Sequence, residues 1–198
     1  MEARKLDFME ILGGNQMKKT YTVADILALP EGVRAELLDG EMFMMASPTN
    51  MHQAILGWMH LEIANHIRDR KGKCRVRLSP YAVFLMNDDK NYVEPDLLVM
   101  CNPERIEKDG VHGAVDWAVE IVSPSSRTMD YKRKVAAYER ASVKEYWIID
   151  PQKKKVSVYN LEQGWTPTAY SFEDCVPSGI VEGLTIDFAK LVEEWDNI

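Results

Sequence analysis

The chain has 198 residues, 46% hydrophobic and 28% charged, and a formal net charge of -7 at pH 7. That apolar content supports a packed core and excludes a disordered chain, while the length fits one domain and leaves little room for two. The acidic balance excludes indiscriminate nucleic-acid binding driven by charge, but not a local basic groove.

The N-terminal stretch MEARKLDFMEILGGNQMKKT has no long apolar core and no small-residue cleavage site, so it does not read as a signal peptide. Met17, followed by Lys18 and Lys19, is an alternative start that would leave residues 1–16 as an extension. Residues 1–20 as a whole read as loosely attached, ahead of a single domain over 21–198. No run approaches the ~20 apolar residues of a membrane span. Cys74, Cys101 and Cys175 are odd in number, far apart and without metal or redox spacing. They read as free thiols, which points to a reducing, cytoplasmic setting.

Residues 22–29 (TVADILAL) predict a short helix with Thr22 as N-cap and Pro30 as stop. AELLDGEMFMM follows, and Asp39-Gly40 between two apolar runs predicts a hairpin, because a type I′ turn needs positive φ at both central residues. Ser47-Pro48-Thr49-Asn50 marks a loop and a helix start. A long helix is expected from His52 to about Arg70, with Leu56, Met59, Ile63 and Ile67 as its buried stripe and Gly72 as its end. Strands are expected over 75–86, 92–100 and 116–123, then a helix over about 127–141. EYWIIDP (145–151) and KVSVYN (155–160) read as a hairpin, 165–172 as an edge strand, and 184–195 as ending in a short helix. This order predicts an α/β or α+β domain with a mixed sheet flanked by helices.

Two carboxylates stand out. Glu120 lies in the apolar strand WAVEIV and shares a face with Ala118 and Val122. Burying it without a partner is expensive, so it is either salt-bridged, exposed at a strand end, or functional. Asp96 follows Pro95, which cannot donate to a sheet ladder and so marks a strand start, edge or bulge. It is either a cap at that irregularity or a ligand. Two carboxylates on adjacent strands suit a hard cation such as Mg²⁺, which prefers oxygen and commonly takes only one or two protein carboxylates.

Pro95-Asp96 followed by Glu120-Ile121-Val122 resembles the PD-(D/E)XK motif of restriction-endonuclease-like proteins, with Val122 at the expected lysine position. AELLDGE (35–41), SPTNMHQ (47–53), EPDLLV (94–99), VEIVSPSS (119–126), the Asp130/Lys134/Tyr138 run and VKEYWIIDP (143–151) together resemble the Uma-type branch of that superfamily. The resemblance implies a restriction-endonuclease-like core with an added N-terminal hairpin and C-terminal strands. It implies Asp96 and Glu120 as ligands of Mg²⁺ or Mn²⁺, and Lys134, supplied from the following helix, as the charge that positions water or offsets the transition state. Lys132 is the competing lysine but points to another helix face. Lys134 could also be half of a surface pair with Asp130, worth only tenths of a kcal/mol.

Glu36 matches a recurrent position of the pattern and is a candidate third acid or an exposed edge-strand charge. His52 matches another, as a local cap or a catalytic group. Glu62 is a weaker candidate acid, and His60, His66 and His112 form no metal-like set with each other. Two basic runs could face DNA or simply be solvated: Arg68, Arg70, Lys71, Lys73, Arg75 and Arg77, and then Arg127, Lys132, Arg133 and Arg140. Trp58, Trp117 and Trp147 sit in apolar periodic segments and read as core. The function implied is a metal-dependent endonuclease on DNA, with a homodimer by analogy. The rivals are a catalytically inactive binding module of the same fold and a hydrolase of small phosphodiesters.

Overall fold

The computed structural model describes residues 19–86 and 88–195. The expected N-terminal extension lies outside the described residues, save for Lys19 and Thr20. In chain order the elements are α1 (Val23–Leu27), β1 (Ala35–Leu38), β2 (Glu41–Met44), α2 (Asn50–Asp69), β3 (Arg75–Leu78), β4 (Val83–Phe84), β5 (Tyr92–Val93), β6 (Leu97–Met100), β7 (Val111–His112) and β8 (Trp117–Ile121). A π-helical segment, Met129–Lys134, then runs into α3 (Val135–Arg140). The chain continues through β9 (Glu145–Asp150), β10 (Lys155–Asn160), β11 (Thr168–Ser171), β12 (Cys175–Pro177), β13 (Thr185–Asp187) and α4 (Phe188–Trp195).

The strands form a six-stranded sheet ordered β11-β10-β9-β8-β6-β3, a five-stranded sheet ordered β2-β1-β5-β4-β7, and a two-stranded β12-β13 ribbon. In the six-stranded sheet β8 and β9 run parallel and the other pairs antiparallel. This is the expected α/β class, with mixed sheets flanked by helices. The alternation of side chains divides the core in two. Leu97, Val99, Trp117, Val119 and Ile121 face the stripe of α2, including Ile55, Met59 and Ile63. Leu98, Met100, Ala118 and Ile148 face α3 and the five-stranded sheet. Trp58, Trp117 and Trp147 are all buried, as expected of core residues.

Local signals explain most elements. In α1, Asp25 Oδ2 accepts from the Thr22 backbone N–H at 2.8 Å, the reach-back of a capping box. The β1–β2 turn places Asp39 at φ 52° and Gly40 at φ 75°, the two positive values of a type I′ turn. Thr49 caps α2 by accepting from the His52 N–H at 3.2 Å. At its other end Gly72 N–H donates to Ile67 O (2.7 Å) and Lys71 N–H to Arg68 O (3.0 Å). That is a Schellman motif whose left-handed residue is Lys71, at φ 54°, rather than the glycine after it.

Two expected strands are each divided. The run 75–86 splits into β3 and β4, and 92–100 into β5 and β6, with the halves in different sheets. Pro80 and Pro95 occupy the breaks; neither offers an N–H to a ladder, so the chain leaves one sheet there and joins the other. Both crossings meet at one seam, where Ser79 N–H donates to Asp96 O at 3.0 Å. β11 takes the expected edge position, and the β12-β13 ribbon adds further C-terminal strands outside that sheet.

The reading of three free thiols is corrected for two of them: Cys74 and Cys101 form a disulfide, and Cys175 is free and exposed. The β3–β6 register pairs Arg75 with Met100, which sets Cys74 opposite Cys101 although 27 residues separate them. The thiol argument for a reducing compartment therefore does not extend to this pair. No helix among the described residues is long and apolar enough to cross a membrane.

Candidate active site

A cleft of about 640 Å³ opens at the seam between the two larger sheets. Four carboxylates line it: Glu36 from β1, Asp96 at the entry to β6, Glu120 from β8 and Asp130 from the π-helical segment. The cationic or titratable bases on its lining are Arg34, His52 and Lys134. Every residue that the sequence pattern assigned to catalysis or metal binding therefore reaches one place.

Lys134 is the hub. Its Nζ lies 2.8 Å from Glu120 Oε1, 2.9 Å from Glu36 Oε2 and 3.9 Å from Asp130 Oδ1. Burial pulls its pKa down, but the charges of Glu120, Glu36 and Asp130 more than reverse this, and the ammonium stays protonated. The expected shared face of Asp130, Lys134 and Tyr138 is observed, with Tyr138 Oη donating to the same Glu120 Oε1 at 3.0 Å. Lys132, the competing lysine, is exposed and does not line the cleft, whereas Lys134 does. The surface-pair reading of Asp130 and Lys134 fails, because both are buried.

Asp96 is held from two sides. Its Oδ2 accepts the Ile121 backbone N–H at 2.7 Å and lies 3.0 Å from His52 Nε2. His52 Nδ1 is buried with no hydrogen-bond partner among the described residues. His52 thus belongs to the cleft through Asp96, besides standing in the first turn of α2.

The carboxylates are unequal in what they leave free. Both oxygens of Glu36 are engaged, Oε1 by the Glu94 backbone N–H at 2.9 Å and Oε2 by Lys134. Asp96 Oδ1 and Glu120 Oε2 have no hydrogen-bond partner among the described residues. Glu120 is pushed well above the ordinary carboxylate range by burial, with Asp96, Glu36 and Asp130 adding to the effect and Lys134 opposing it. Burial likewise raises Asp130 to about 6, against the pull of Lys134 and of the Ser126 hydroxyl, which donates to it at 2.6 Å. The seam is therefore short of positive charge. A divalent cation facing Asp96 Oδ1 and Glu120 Oε2 fits that deficit and the all-oxygen preference of Mg²⁺ or Mn²⁺.

Other candidates fall elsewhere. Glu62 does not line the cleft, and His66 Nε2 pairs with Glu182 O at 3.0 Å. In the first basic run, five of the six residues are exposed and Arg77 is half-buried. Much of the second is paired: Arg127 with Asp150, Arg133 with Glu41 and Arg140 with Asp39. Three contributors were not singled out from the sequence as site residues: Asp130, Ser126 and Arg34. Asp130 and Ser126 were within quoted motifs, yet nothing in their spacing tells a cleft group from a turn residue. Arg34 stands just before the hairpin pattern.

The Uma2 family model, described as "Putative restriction endonuclease", matches residues 23–189. An uncharacterized protein of Synechocystis sp. is 23% identical over 142 residues, covering 70% of this chain and 73% of its own length. The crystal structure of a protein from Anabaena variabilis ATCC 29413, described as a "putative nuclease belonging to DUF820", superposes with a TM-score of 0.71 at 22% identity. The superposition covers 87% of this chain and 97% of that one. At this identity the likeness concerns the fold.

Proposed function

This chain belongs to the Uma2 family of restriction-endonuclease-like proteins, and from that premise we propose that it is a Mg²⁺- or Mn²⁺-dependent endonuclease hydrolysing phosphodiester bonds in DNA. The observation that carries the reading is the convergence of Glu36, Asp96, Glu120 and Lys134 on one cleft with a deficit of positive charge. Asp96 Oδ1 and Glu120 Oε2 would hold the ion. A divalent ion there supplies the Lewis acidity for phosphodiester hydrolysis.

The protein's own groups do the rest. His52 and the Ile121 N–H fix the orientation of Asp96, and Lys134 and Tyr138 fix that of Glu120. Preorganised polar groups of this kind need not rearrange as charge develops. Glu36 anchors Lys134 and serves as the third acid of the site. The Lys134 ammonium offsets negative charge growing on the phosphate, the task the motif lysine would have from the position of Val122. Residues 21–198 act as one domain, and a homodimer would present two such sites to the two strands of a duplex.

The test is nicking of supercoiled plasmid with Mg²⁺ or Mn²⁺ against a chelator control. Asp96→Ala and Glu120→Ala are expected to abolish cleavage while leaving a cooperative unfolding transition. Wild-type activity in either variant would refute the assignment. DNA binding without turnover would favour the inactive module, a reading that the valine at position 122 keeps in play. Turnover of short phosphodiesters with little salt dependence would favour the small-substrate hydrolase.

A further inference from the structure

We propose that Arg34 is the residue of the cleft that grips a substrate phosphate, an inference that rests on the nuclease reading above. A phosphodiester entering this cleft meets four carboxylates and must be received by a positive group. Lys134 is nearly sealed from solvent and already faces Glu36, Glu120 and Asp130. The Nε2 of His52 is committed to Asp96. Arg34 remains, with its side chain 35% exposed.

Its guanidinium is anchored on one side only. Nε donates to Glu94 Oε2 at 2.8 Å, Nη2 donates to the same oxygen at 2.5 Å and to Ser79 Oγ at 2.6 Å, and Nη1 has no partner among the described residues. Glu94 is in turn fixed by Tyr92 Oη, which donates to its Oε1 at 2.8 Å. The planar fork is therefore held by the buried Glu94 and by Ser79, and a side chain that lines the cleft keeps the two N–H donors of Nη1 free, the arrangement that suits a phosphate oxygen. Arg34 also stands two residues before Glu36, on the same side of the extended chain entering β1. Its anchor, Glu94, is two residues before Asp96. The donors and the proposed metal ligands thus share one rigid frame at the seam, so a phosphate held by Arg34 is held in register with the site.

A structural role for the Arg34–Glu94 pair is the competing explanation, and a double variant separates the two. Binding of a fluorescein-labelled DNA duplex is followed by anisotropy with Ca²⁺ in place of Mg²⁺, alongside thermal unfolding, for wild type, R34Q and R34Q/E94Q. R34Q is expected to bind roughly tenfold or more weakly. Its plot of log affinity against log salt should be about one unit shallower. The R34Q/E94Q protein, in which the buried Glu94 charge is no longer left unpaired, should recover thermal stability without recovering affinity. R34Q binding as tightly as wild type, or affinity returning together with stability in the double variant, overturns the proposal. If wild type cleaves DNA and R34Q is unaltered, only the role of Arg34 falls. If wild type neither binds nor cleaves, the nuclease reading falls and takes this inference with it.

Discussion

The Nζ of Lys134 lies 2.8 Å from Oε1 of Glu120, and both side chains are about as buried as the core that surrounds them. One comes from the helix that crosses over the sheet and the other from a central strand. Neither charge is tolerable alone in such a setting, because desolvating an unpaired ion costs several kcal/mol. The pair is at once a structural tie and the centre of the site.

Lys134→Met should therefore be costly even without any assay of function. Glu36, Glu120 and Asp130 would face one another with no cation among them. The expected loss is about 3–5 kcal/mol of unfolding free energy. Urea denaturation at neutral pH measures it. A change within about 0.5 kcal/mol, the range of ordinary surface substitutions, would mean that the pair is not the tie described here.

Added divalent metal should raise the unfolding temperature of the wild type. At a metal concentration a hundred times Kd the stabilisation is about 2.7 kcal/mol. Asp96→Ala and Glu120→Ala should lose the shift. Glu36→Gln should keep part of it, because both oxygens of Glu36 are already engaged by Glu94 and Lys134. Equal shifts in all three variants would contradict the unequal roles of these acids.

Asp150 supplies a pH dependence away from the cleft. Burial pushes its carboxyl up, but the Arg127 guanidinium and the Lys153 N–H outweigh this and hold it below its ordinary value. The folded state thus binds the proton less tightly than the unfolded chain. The stabilisation is fully present above the unfolded pKa of about 3.9 and disappears as pH falls through the lower folded value. Asp150→Asn should be less stable than wild type at pH 7, with the gap narrowing below about pH 4. A gap that stays constant down to pH 2 would show that the pair acts through shape rather than charge.

Lys71→Gly should stabilise the protein. Lys71 is exposed and holds a left-handed conformation at the end of α2. Relieving its Cβ crowding is worth about 1 kcal/mol, reduced by the extra freedom glycine has when unfolded. A fall in unfolding temperature would mean that the lysine side chain makes a contact the glycine cannot replace.

The residues that line the cleft were largely legible, partly from their chemistry and mainly from the resemblance to a known pattern. Glu120 in an apolar strand and Asp96 behind a proline are costly enough placements to draw notice, but each keeps a structural alternative until the motif resemblance gives it a role. Lys134 is reached through the resemblance to the Uma-type pattern, and its expected shared face with Asp130 and Tyr138 holds despite the π-helical turn. Arg34 was not legible, because an arginine beside a hairpin looks like any solvated charge until the fold brings Glu94 and Ser79 beneath it. The elements were read well where a local signal marks them, as in the Asp39-Gly40 turn and the α2 stripe. They were misread where one apolar run serves two sheets. Pattern counts only alternation, and Val76 and Val83 alternate alike although their strands pair with different partners. The Cys74–Cys101 bridge escaped for the same reason, since it follows from register across strands and not from spacing along the chain.

β8 and β9 are parallel neighbours, so the π-helical segment and α3 must cross from one end of the sheet to the other between them. That connection carries Lys134, and the acids it gathers come from positions as distant as 36 and 120. No short fragment of the chain can hold this arrangement. During synthesis the acids of β1 and β8 leave the ribosome well before β9 is available to seat the crossover against them. A growing chain therefore carries Glu36 for much of its synthesis before the rest of the site can form around it, and a metal-induced signal during refolding would time the docking of the crossover.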